Sequence, residues 1–472
     1  MFKIFLSWIL LESAGYLAVV AGMPLTGTLN KHFAAYSSPV AMFDLQQGFK
    51  LIPGKQFDGL LIRESKLQFY YRDININNWG FRANKDYTQE RGSVPRILVY
   101  GDSMTAGLYT KMPWPEILEE QLRADGVGAE VYNLSTDGGG VHNWTLHYNS
   151  KIKGKVDFDV LILAICCNSL RRSLVIYHSD LDGKNILYGR FSRLPEDINE
   201  FNAKYIPNMT PMFPLLDRKV IQDIATAYMG NDLWLRFKVI PFDFYVWRAT
   251  LKTMKELPNN TKNYVTAKIK SAFGHDNYSA MKLRIAGIFK ASSDSSISSS
   301  ETSIKAQNKL SSKVQLSIFP EHGNDEDFSI QISQMVQDAK NRGARVIFLS
   351  LPHDKPQQVG HGQQFRFSEG DSQRYAEAVK KSANENDVTF INGYQAFDNI
   401  TSQHVAKFWP SAEGHWLEEG MIHFVQWFAP QLAPLLKLSP SESYQSKEGT
   451  PNTLQSSHAG QNISPDRVQQ AN

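Results

Sequence analysis

The sequence is poor in cysteine: its 472 residues include only Cys166 and Cys167. Adjacent cysteines can hardly meet disulfide geometry, so a disulfide-stabilised framework is excluded. The low count also excludes a cysteine-rich metal site, and no metal or organic cofactor is predicted. We interpret the pair as two small apolar residues at the end of a buried strand.

An excess of charge of one sign is also lacking. The chain has 50 Lys and Arg against 47 Asp and Glu, which gives a formal net charge of +3. This balance offers no electrostatic reason for a nucleic-acid partner, and none is predicted. Internal repeats are absent. Hydrophobic residues make up 42% of the chain, which is typical of a globular protein, and its length exceeds what one α/β domain needs.

Long hydrophobic runs are rare, and the clearest one lies at the N-terminus. Ile4 to Met23 is almost continuously apolar, follows Lys3 and ends at Pro24. The run predicts a signal or anchor segment over residues 1–25. We therefore expect an extracytoplasmic protein that is secreted or membrane-anchored, at the periplasmic face of the inner membrane in a bacterium. Glu12 would cost a spanning helix about 2.5 to 3.5 kcal/mol, and a buried N-terminal helix is the alternative.

Short apolar runs alternate with amphipathic segments from Pro95 onward. The predicted buried strands begin at Arg96, Val131, Asp159, Arg345 and Val388, and the predicted helices begin at Trp114, Phe328, Ser372 and about Leu417. Strands that alternate with helices predict an α/β fold, with a parallel sheet covered by helices on both faces.

Two stretches interrupt this alternation. Residues 171–323, approximately, are aromatic-rich and predicted to form a largely helical insertion. The insertion is either a lid or substrate platform, or an ordinarily packed subdomain. Serine-rich residues 292–312 within it are predicted to be a disordered loop. The predicted organisation is a segment 1–25, an extension 26–94 that packs on the core, a domain 95–437 that includes the insertion, and a disordered tail 438–472.

The candidate nucleophile is Ser103 in Gly101-Asp-Ser-Met-Thr-Ala-Gly107. This stretch follows an apolar run, and the carboxyl end of a buried parallel strand is where α/β proteins place reactive groups. Gly101 lets the chain turn sharply, so that the serine hydroxyl is presented at the turn. Asp102 is predicted to bond the backbone beside the nucleophile. The alternative is that Ser103 and Asp102 only cap a helix.

The stretch resembles the nucleophile block of the SGNH (GDSL-type) hydrolases. The leader Asn78-Trp-Gly-Phe-Arg82 resembles a segment of the membrane-anchored bacterial members of this family. The resemblance covers roughly residues 70–170 and 340–435. It implies a flavodoxin-like three-layer α/β/α sandwich that acts on carboxylic esters, often acyl or acetyl groups on lipids or sugars.

Two further blocks resemble the motifs that form the oxyanion hole in this family. Asn133-Leu-Ser-Thr-Asp-Gly-Gly-Gly140 is similar to the second block of the family, which implies that the Gly138 N–H binds the oxyanion. Ala164-Ile-Cys-Cys-Asn-Ser169 stands where the family has Gly-x-Asn-Asp, which implies the same role for the Asn168 amide. Ser135 and Ser169 replace residues that the family usually has.

The closing block supplies the general base. Gly414-His-Trp-Leu-Glu-Glu-Gly420 resembles it and implies that His415 accepts the nucleophile's proton. The family's acid would be Glu413, because Ala412 at the other usual spacing has no carboxylate. A Ser–His dyad is the alternative.

These blocks together predict a serine ester hydrolase for an acylated small molecule, glycan or lipid. An O-acyltransferase that modifies a polysaccharide with the same residues is the first alternative. The second is a non-catalytic, membrane-tethered glycan-binding or assembly protein, which the departures at Ser135, Ser169 and Glu413 favour.

Overall fold

The structure is a computed structural model that describes residues 2–20, 33–38, 41–63, 66–107, 110–166, 169, 172–180, 183–230, 325–352, 356–358, 365–367, 369–398, 400–409 and 414–437. Its strands are β1 (Phe33–Tyr36), β2 (Ala41–Asp44), β3 (Gly48–Leu51), β4 (Gln56–Arg63), β5 (Lys66–Asn75), β6 (Arg96–Tyr100), β7 (Glu130–Asn133), β8 (Val160–Cys166), β9 (Leu174–Ser179), β10 (Asn185–Phe191), β11 (Thr210–Pro214), β12 (Arg345–Leu351), β13 (Gln357–Gln358), β14 (Phe365–Arg366) and β15 (Thr389–Asn392). Its helices are α1 (Phe2–Val20), α2 (Ser103–Ala106), α3 (Trp114–Ala124), α4 (Val141–His147), α5 (Ile198–Glu200), α6 (Arg218–Met229), α7 (Asp325–Asn341), α8 (Glu369–Glu385), α9 (Ser402–Phe408) and α10 (Glu418–Lys437). Short π- and 3₁₀-helical turns span Tyr148–Ile152, Phe201–Tyr205, Ile206–Asn208 and Gly393–Phe397.

A five-stranded parallel sheet forms the centre of the molecule. Its strand order is β15-β12-β8-β6-β7, and every neighbouring pair is parallel. Counted along the chain within this sheet, the order is that of flavodoxin-like folds. The predicted α/β fold with a parallel sheet is confirmed.

Alternating side chains of the sheet enter two separate cores. On β6, Ile97 and Val99 pack with residues of α3 and α10, whereas Leu98 and Tyr100 pack with residues of α4, α7 and α8. All four side chains have no exposed surface. A strand buried on both faces needs a continuous apolar run, which is the pattern that β6 and β8 show in the sequence.

The predicted helices and strands of the sandwich are present within a few residues of their expected bounds. The four predicted helices correspond to α3, α7, α8 and α10, and the five predicted strands correspond to β6, β7, β8, β12 and β15. Cys166 is buried at the end of β8, as its apolar surroundings predicted. Cys167 lies outside the described residues.

The insertion was predicted to be largely helical, but its first part differs from this prediction. Its first part contains three antiparallel strands in the order β11-β10-β9, followed by α6. Leu174-Val-Ile-Tyr177 and Asn185-Ile-Leu-Tyr188 are rich in β-branched and aromatic residues, and a turn that contains Gly183 at φ +64° lies between them. The aromatic segments that prompted the helical prediction, and the serine-rich residues 292–312, lie outside the described residues.

The N-terminal extension and the insertion share one apolar cluster. Tyr36, Phe43 and Phe57 come from the extension, and Ile176 and Phe213 come from the insertion. The rings of Tyr36 and Phe213 lie 5.0 Å apart, centre to centre, in an edge-on arrangement. The two segments, distant in sequence, therefore stabilise each other beside the central sheet.

The first helix, α1, is mostly apolar, but it buries the carboxylate-bearing Glu12. Leu10 and Leu17 are exposed on its surface. Of the helices in the described part of the chain, none combines the length and the hydropathy that a membrane crossing requires. The signal or anchor role of residues 1–25 stays a prediction, and residues 438–472 lie outside the described residues.

Candidate active site

The candidate nucleophile lies in a tight turn between β6 and α2. Asp102 caps α2, and its Oδ1 accepts a hydrogen bond of 3.0 Å from the Met104 N–H. Ser103 is the first residue of the helix and is 8% exposed. A Cβ at Gly101 would lie 2.3 Å from Thr105 Oγ1, so a larger residue would force this turn to change. The turn therefore needs glycine, as the sequence suggested.

The Ser103 hydroxyl and the His415 imidazole meet across 312 residues of sequence. Ser103 Oγ lies 2.7 Å from His415 Nε2. The loop that carries His415 is held at both sides, since Trp409 Nε1 donates to the Gly414 carbonyl at 3.1 Å and the Leu417 N–H donates to the Phe408 carbonyl at 2.7 Å. A serine hydroxyl within hydrogen-bond distance of an imidazole nitrogen is the geometry that activates a serine nucleophile.

This pair sits where the order of the sheet reverses. From β6 the chain moves outward to β7 and then returns to β8 on the other side of β6. In open α/β sheets such a reversal leaves a crevice at the carboxyl ends of the strands, where ligands bind. Ser103 follows the carboxyl end of β6, so it faces this crevice.

Asp102 is fully buried and belongs to a polar network behind the nucleophile. Its Oδ2 lies 3.1 Å from Arg172 Nη1 and 2.8 Å from the Ser169 hydroxyl, which donates to it. An aspartate in place of Ser169 would set a second carboxylate against this buried one. The network therefore explains why serine suits this position, and it gives Asp102 the structural role that the sequence suggested.

The glycine-containing loop after β7 is tied to the nucleophile turn. The Thr136 N–H donates to the Gly101 carbonyl at 3.2 Å. Arg172 Nη1, which binds Asp102, also donates to the Gly139 carbonyl at 3.3 Å. Gly138 has a φ of +64°, a conformation that glycine adopts at little cost. The loop is thus fixed beside Ser103, as an oxyanion-binding role for Gly138 requires.

Three of the five predicted site residues fall within the described part of the chain. Ser103, Gly138 and His415 lie in the turn and the two loops described above, and the first and the last are in direct contact. Asn168 and Glu413 lie outside the described residues. The catalytic roles of all five stay predictions.

Sequence reasoning missed Asp137 and its partner Tyr177. Asp137 is partly buried in the glycine-containing loop, and the Tyr177 hydroxyl donates to its Oδ2 at 3.4 Å. Burial raises the pKa of Asp137, and the nearby His415 imidazole opposes that rise. A carboxylate directly before Gly138 was the available signal, but Tyr177 comes from the insertion, and no local pattern connects the two.

The leader segment is hydrogen-bonded to the loop that follows the nucleophile turn. Arg82 is buried, and its two terminal nitrogens donate to the carbonyls of Gly107 and Thr110 in the loop after α2. Its own backbone carbonyl accepts a bond of 3.3 Å from the Asn133 amide. The leader motif thus connects the nucleophile turn with β7.

Within the residues that the structure describes, no group of three or more His, Cys, Asp and Glu side chains is arranged to hold a metal ion. What the site offers is a serine hydroxyl, an imidazole and a fixed glycine-containing loop. These groups suit acyl transfer through a covalent serine intermediate.

No protein-family model and no curated protein matches the chain. Among solved structures, it is similar to Axe2, an acetylxylan esterase from Geobacillus stearothermophilus, with 12% identity, a TM-score of 0.31, and coverage of 72% of this chain and 95% of that one. It is also similar to TesA, with 11% identity, a TM-score of 0.29, and coverage of 72% and 99%. It is similar as well to the acetyl xylan esterase AlAXEase, with 9% identity, a TM-score of 0.29, and coverage of 71% of this chain and 98% of that one. Similarities at this level do not identify a substrate.

Proposed function

We propose that this chain is a serine ester hydrolase of the SGNH type that acts on an acylated glycan or lipid. The observation that carries the proposal is the 2.7 Å contact between Ser103 Oγ and His415 Nε2 at the reversal point of the sheet. A serine hydroxyl that only capped a helix would have no need of a histidine brought from the far end of the domain.

In the proposed mechanism, Ser103 Oγ attacks the ester carbonyl while His415 Nε2 accepts its proton. The oxyanion binds the N–H groups of Ser103 and Gly138 and the Asn168 amide. Each such donor contributes about 3 kcal/mol to catalysis. His415 then returns the proton to the leaving alcohol, and finally activates the water that hydrolyses the acyl-enzyme.

The test is ester turnover by the full-length chain. We expect release of p-nitrophenol from p-nitrophenyl acetate, together with covalent labelling of Ser103 by a fluorophosphonate. Ser103→Ala should abolish both, and His415→Ala should reduce both by at least about 1000-fold, the usual effect of losing the base. Ser402→Ala and Gln403→Ala are matched controls, because both side chains are exposed on α9 and should leave turnover unchanged.

Each alternative has its own outcome in this test. Labelling of Ser103 without ester turnover, with acyl transfer restored by an added sugar acceptor, would support an O-acyltransferase. A folded protein with neither labelling nor turnover would contradict the enzyme proposal and favour a glycan-binding or assembly protein.

The proposal includes an extracytoplasmic location, held at a membrane through residues 1–25. Exposed leucines on α1, among them Leu10 and Leu17, support contact with an apolar phase. We expect the full chain to pellet with membranes and to be extracted by detergent, whereas residues 26–472 should remain in the supernatant. Equal partitioning of the two forms would contradict this part of the proposal.

A further inference from the structure

One face of the β9–β10 strand pair is turned toward the candidate active site. The antiparallel register sets Tyr188 opposite Tyr177 and Arg190 opposite Val175, and residues opposite or two apart share a face of a sheet. A Cβ at Gly138 would lie 3.2 Å from the Tyr177 hydroxyl and 3.8 Å from both Tyr188 Cε2 and Val175 Cγ1. This face, formed by Val175, Tyr177, Tyr188 and Arg190, therefore borders the glycine-containing loop.

The same face is linked to the candidate base through Asp137. The Tyr177 hydroxyl bonds the Asp137 carboxylate at 3.4 Å. The His415 imidazole is close enough to act on the pKa of that carboxylate, which burial raises. A substrate that placed its ester carbonyl at Ser103 would thus have its adjoining groups next to β10.

Arg190 carries a positive charge on this face. Its side chain is partly exposed, and its Nε donates to the Tyr188 hydroxyl. Neighbouring arginines are paired, Arg172 with Asp102 and Arg193 with Glu200. Among the ion pairs between described residues, none includes Arg190. Its guanidinium fork, with two terminal nitrogens beyond the Nε, suits bidentate binding of a carboxylate or a phosphate.

Tyr188 supplies a flat apolar surface next to this charge. Its ring is partly exposed and lies 5.2 Å from the Tyr177 ring, centre to centre, and the Arg190 guanidinium lies 5.9 Å from its centre. Aromatic faces combined with a few placed polar groups are typical of small-molecule sites. A sugar ring that carries an acidic group matches this pair of residues.

We propose that Tyr188 and Arg190 bind the part of the substrate that adjoins the ester, and that this part is a sugar residue with an anionic group. The inference rests on the proposed function and names the substrate class of the same site. Tyr188 packs against the sugar ring, and the Arg190 guanidinium binds the carboxylate or phosphate.

The test compares acetylated substrates that differ in charge. Full-length protein is assayed for acetate release from acetylated cello-oligosaccharides, from acetylated oligoglucuronates with the same linkage, and from acetylated cello-oligosaccharides that carry a phosphate ester. We expect kcat/KM to be about 10- to 100-fold higher for an anionic substrate than for the neutral one, the effect of one charged hydrogen bond. The preferred acid separates a carboxylate from a phosphate ligand.

Three variants measure separately what Arg190 and Tyr188 contribute to substrate binding. Arg190→Gln should remove the preference for the anionic substrate, mainly through a higher KM. Tyr188→Leu should lower kcat/KM for every oligosaccharide, whereas Tyr188→Phe keeps the ring and should have a smaller effect. Arg193→Gln, an exposed arginine of the same segment that pairs with Glu200, is the matched control and should leave the preference unchanged.

p-Nitrophenyl acetate separates failure of the inference from failure of the proposed function, because it has no sugar or acidic group. The wild type and Arg193→Gln, whose side chain lies outside the proposed site, should hydrolyse it at the same rate. If the wild type does not hydrolyse it and Ser103 is not labelled, the proposed function is wrong. If it is hydrolysed but the three oligosaccharides react equally, or Arg190→Gln slows them all alike, the inference is overturned.

Discussion

The Asp102 carboxylate shows how single residues hold the candidate nucleophile in place. It is fully buried, and its charge is balanced by Arg172 at 3.1 Å, with the Ser169 hydroxyl as a further donor. Removal of one partner from a buried ion pair leaves an unbalanced charge in a medium that solvates it poorly.

Arg172→Gln should therefore lower the free energy of unfolding by about 3 to 5 kcal/mol. It should also reduce ester turnover, because Arg172 connects Asp102 to the glycine-containing loop. The measurements are urea unfolding and p-nitrophenyl acetate hydrolysis.

Arg193→Gln is the control for this prediction. Arg193 pairs with Glu200 at the surface, where water and salt screen the interaction, so its removal should leave the unfolding midpoint unchanged. Equal effects of the two substitutions would show that the buried network does not stabilise the site.

At the scale of elements, the loop after β7 depends on the conformation of Gly138. The left-handed conformation costs an alanine about 1 kcal/mol. A Cβ at position 138 would also approach the Tyr177 hydroxyl to 3.2 Å. Gly138→Ala should therefore cost at least that much stability. It should also lower ester turnover by at least about tenfold, because the N–H that is proposed to bind the oxyanion would shift.

Gly126→Ala separates the two effects. Gly126 has a similar φ of +74°, but a Cβ there would meet nothing within 4 Å. The Gly126→Ala variant should lose about 1 kcal/mol of stability and keep full activity. If Gly138→Ala is as active as Gly126→Ala, Gly138 has no place in the oxyanion hole.

The elements also differ in how well the sequence predicted them. Strands such as β8 are apolar along their whole length, and helices such as α3 have a clear apolar stripe, so both kinds were predicted within a few residues. The insertion was predicted as largely helical, but it begins with β9, β10 and β11. Strand pairing there joins Tyr177 to Tyr188 across a turn, and the propensity of one segment does not reveal its partner.

At the scale of the whole molecule, buried His147 makes the stability depend on pH. It lies in the core that α4 forms with the central sheet, and its Nδ1 is 2.7 Å from the Tyr100 hydroxyl. Burial lowers its pKa to about 3. The folded chain therefore keeps this histidine neutral, whereas the unfolded chain protonates it below pH 6.5, approximately.

The protein becomes less stable as pH falls, because the unfolded state binds the proton more readily than the folded state does. As pH falls from about 6.5 toward 3, the unfolded state gains the proton and the folded state does not, so stability is lost in this range. The loss from this one group is at most about 1.4 kcal/mol per pH unit. Unfolding by urea at pH 7, 6 and 5 measures the slope.

His147→Gln should be less stable at pH 7 but should show a flatter dependence between pH 7 and pH 5. Thr145→Val is the control, because Thr145 is a buried residue of α4 without an ionisable group and its replacement should leave the slope unchanged. If His147→Gln keeps the slope of the wild type, other groups are responsible for the acid sensitivity.

The sequence by itself determined the alternation of strands and helices, the position of the nucleophile turn, and the burial of Cys166. These features depend on local periodicity and on glycine at a sharp turn, both of which can be seen along the chain. A resemblance of short blocks added His415 as the partner of Ser103.

Only the tertiary structure decided which distant residues surround the site. It places the Tyr177 hydroxyl on Asp137, Arg172 on Asp102 and the β10 face next to Gly138. It also joins the N-terminal extension to the insertion through the contact of Tyr36 with Phe213. The physical reason is that packing and ion pairing act between segments far apart in sequence, and periodicity and propensity carry no information about such partners.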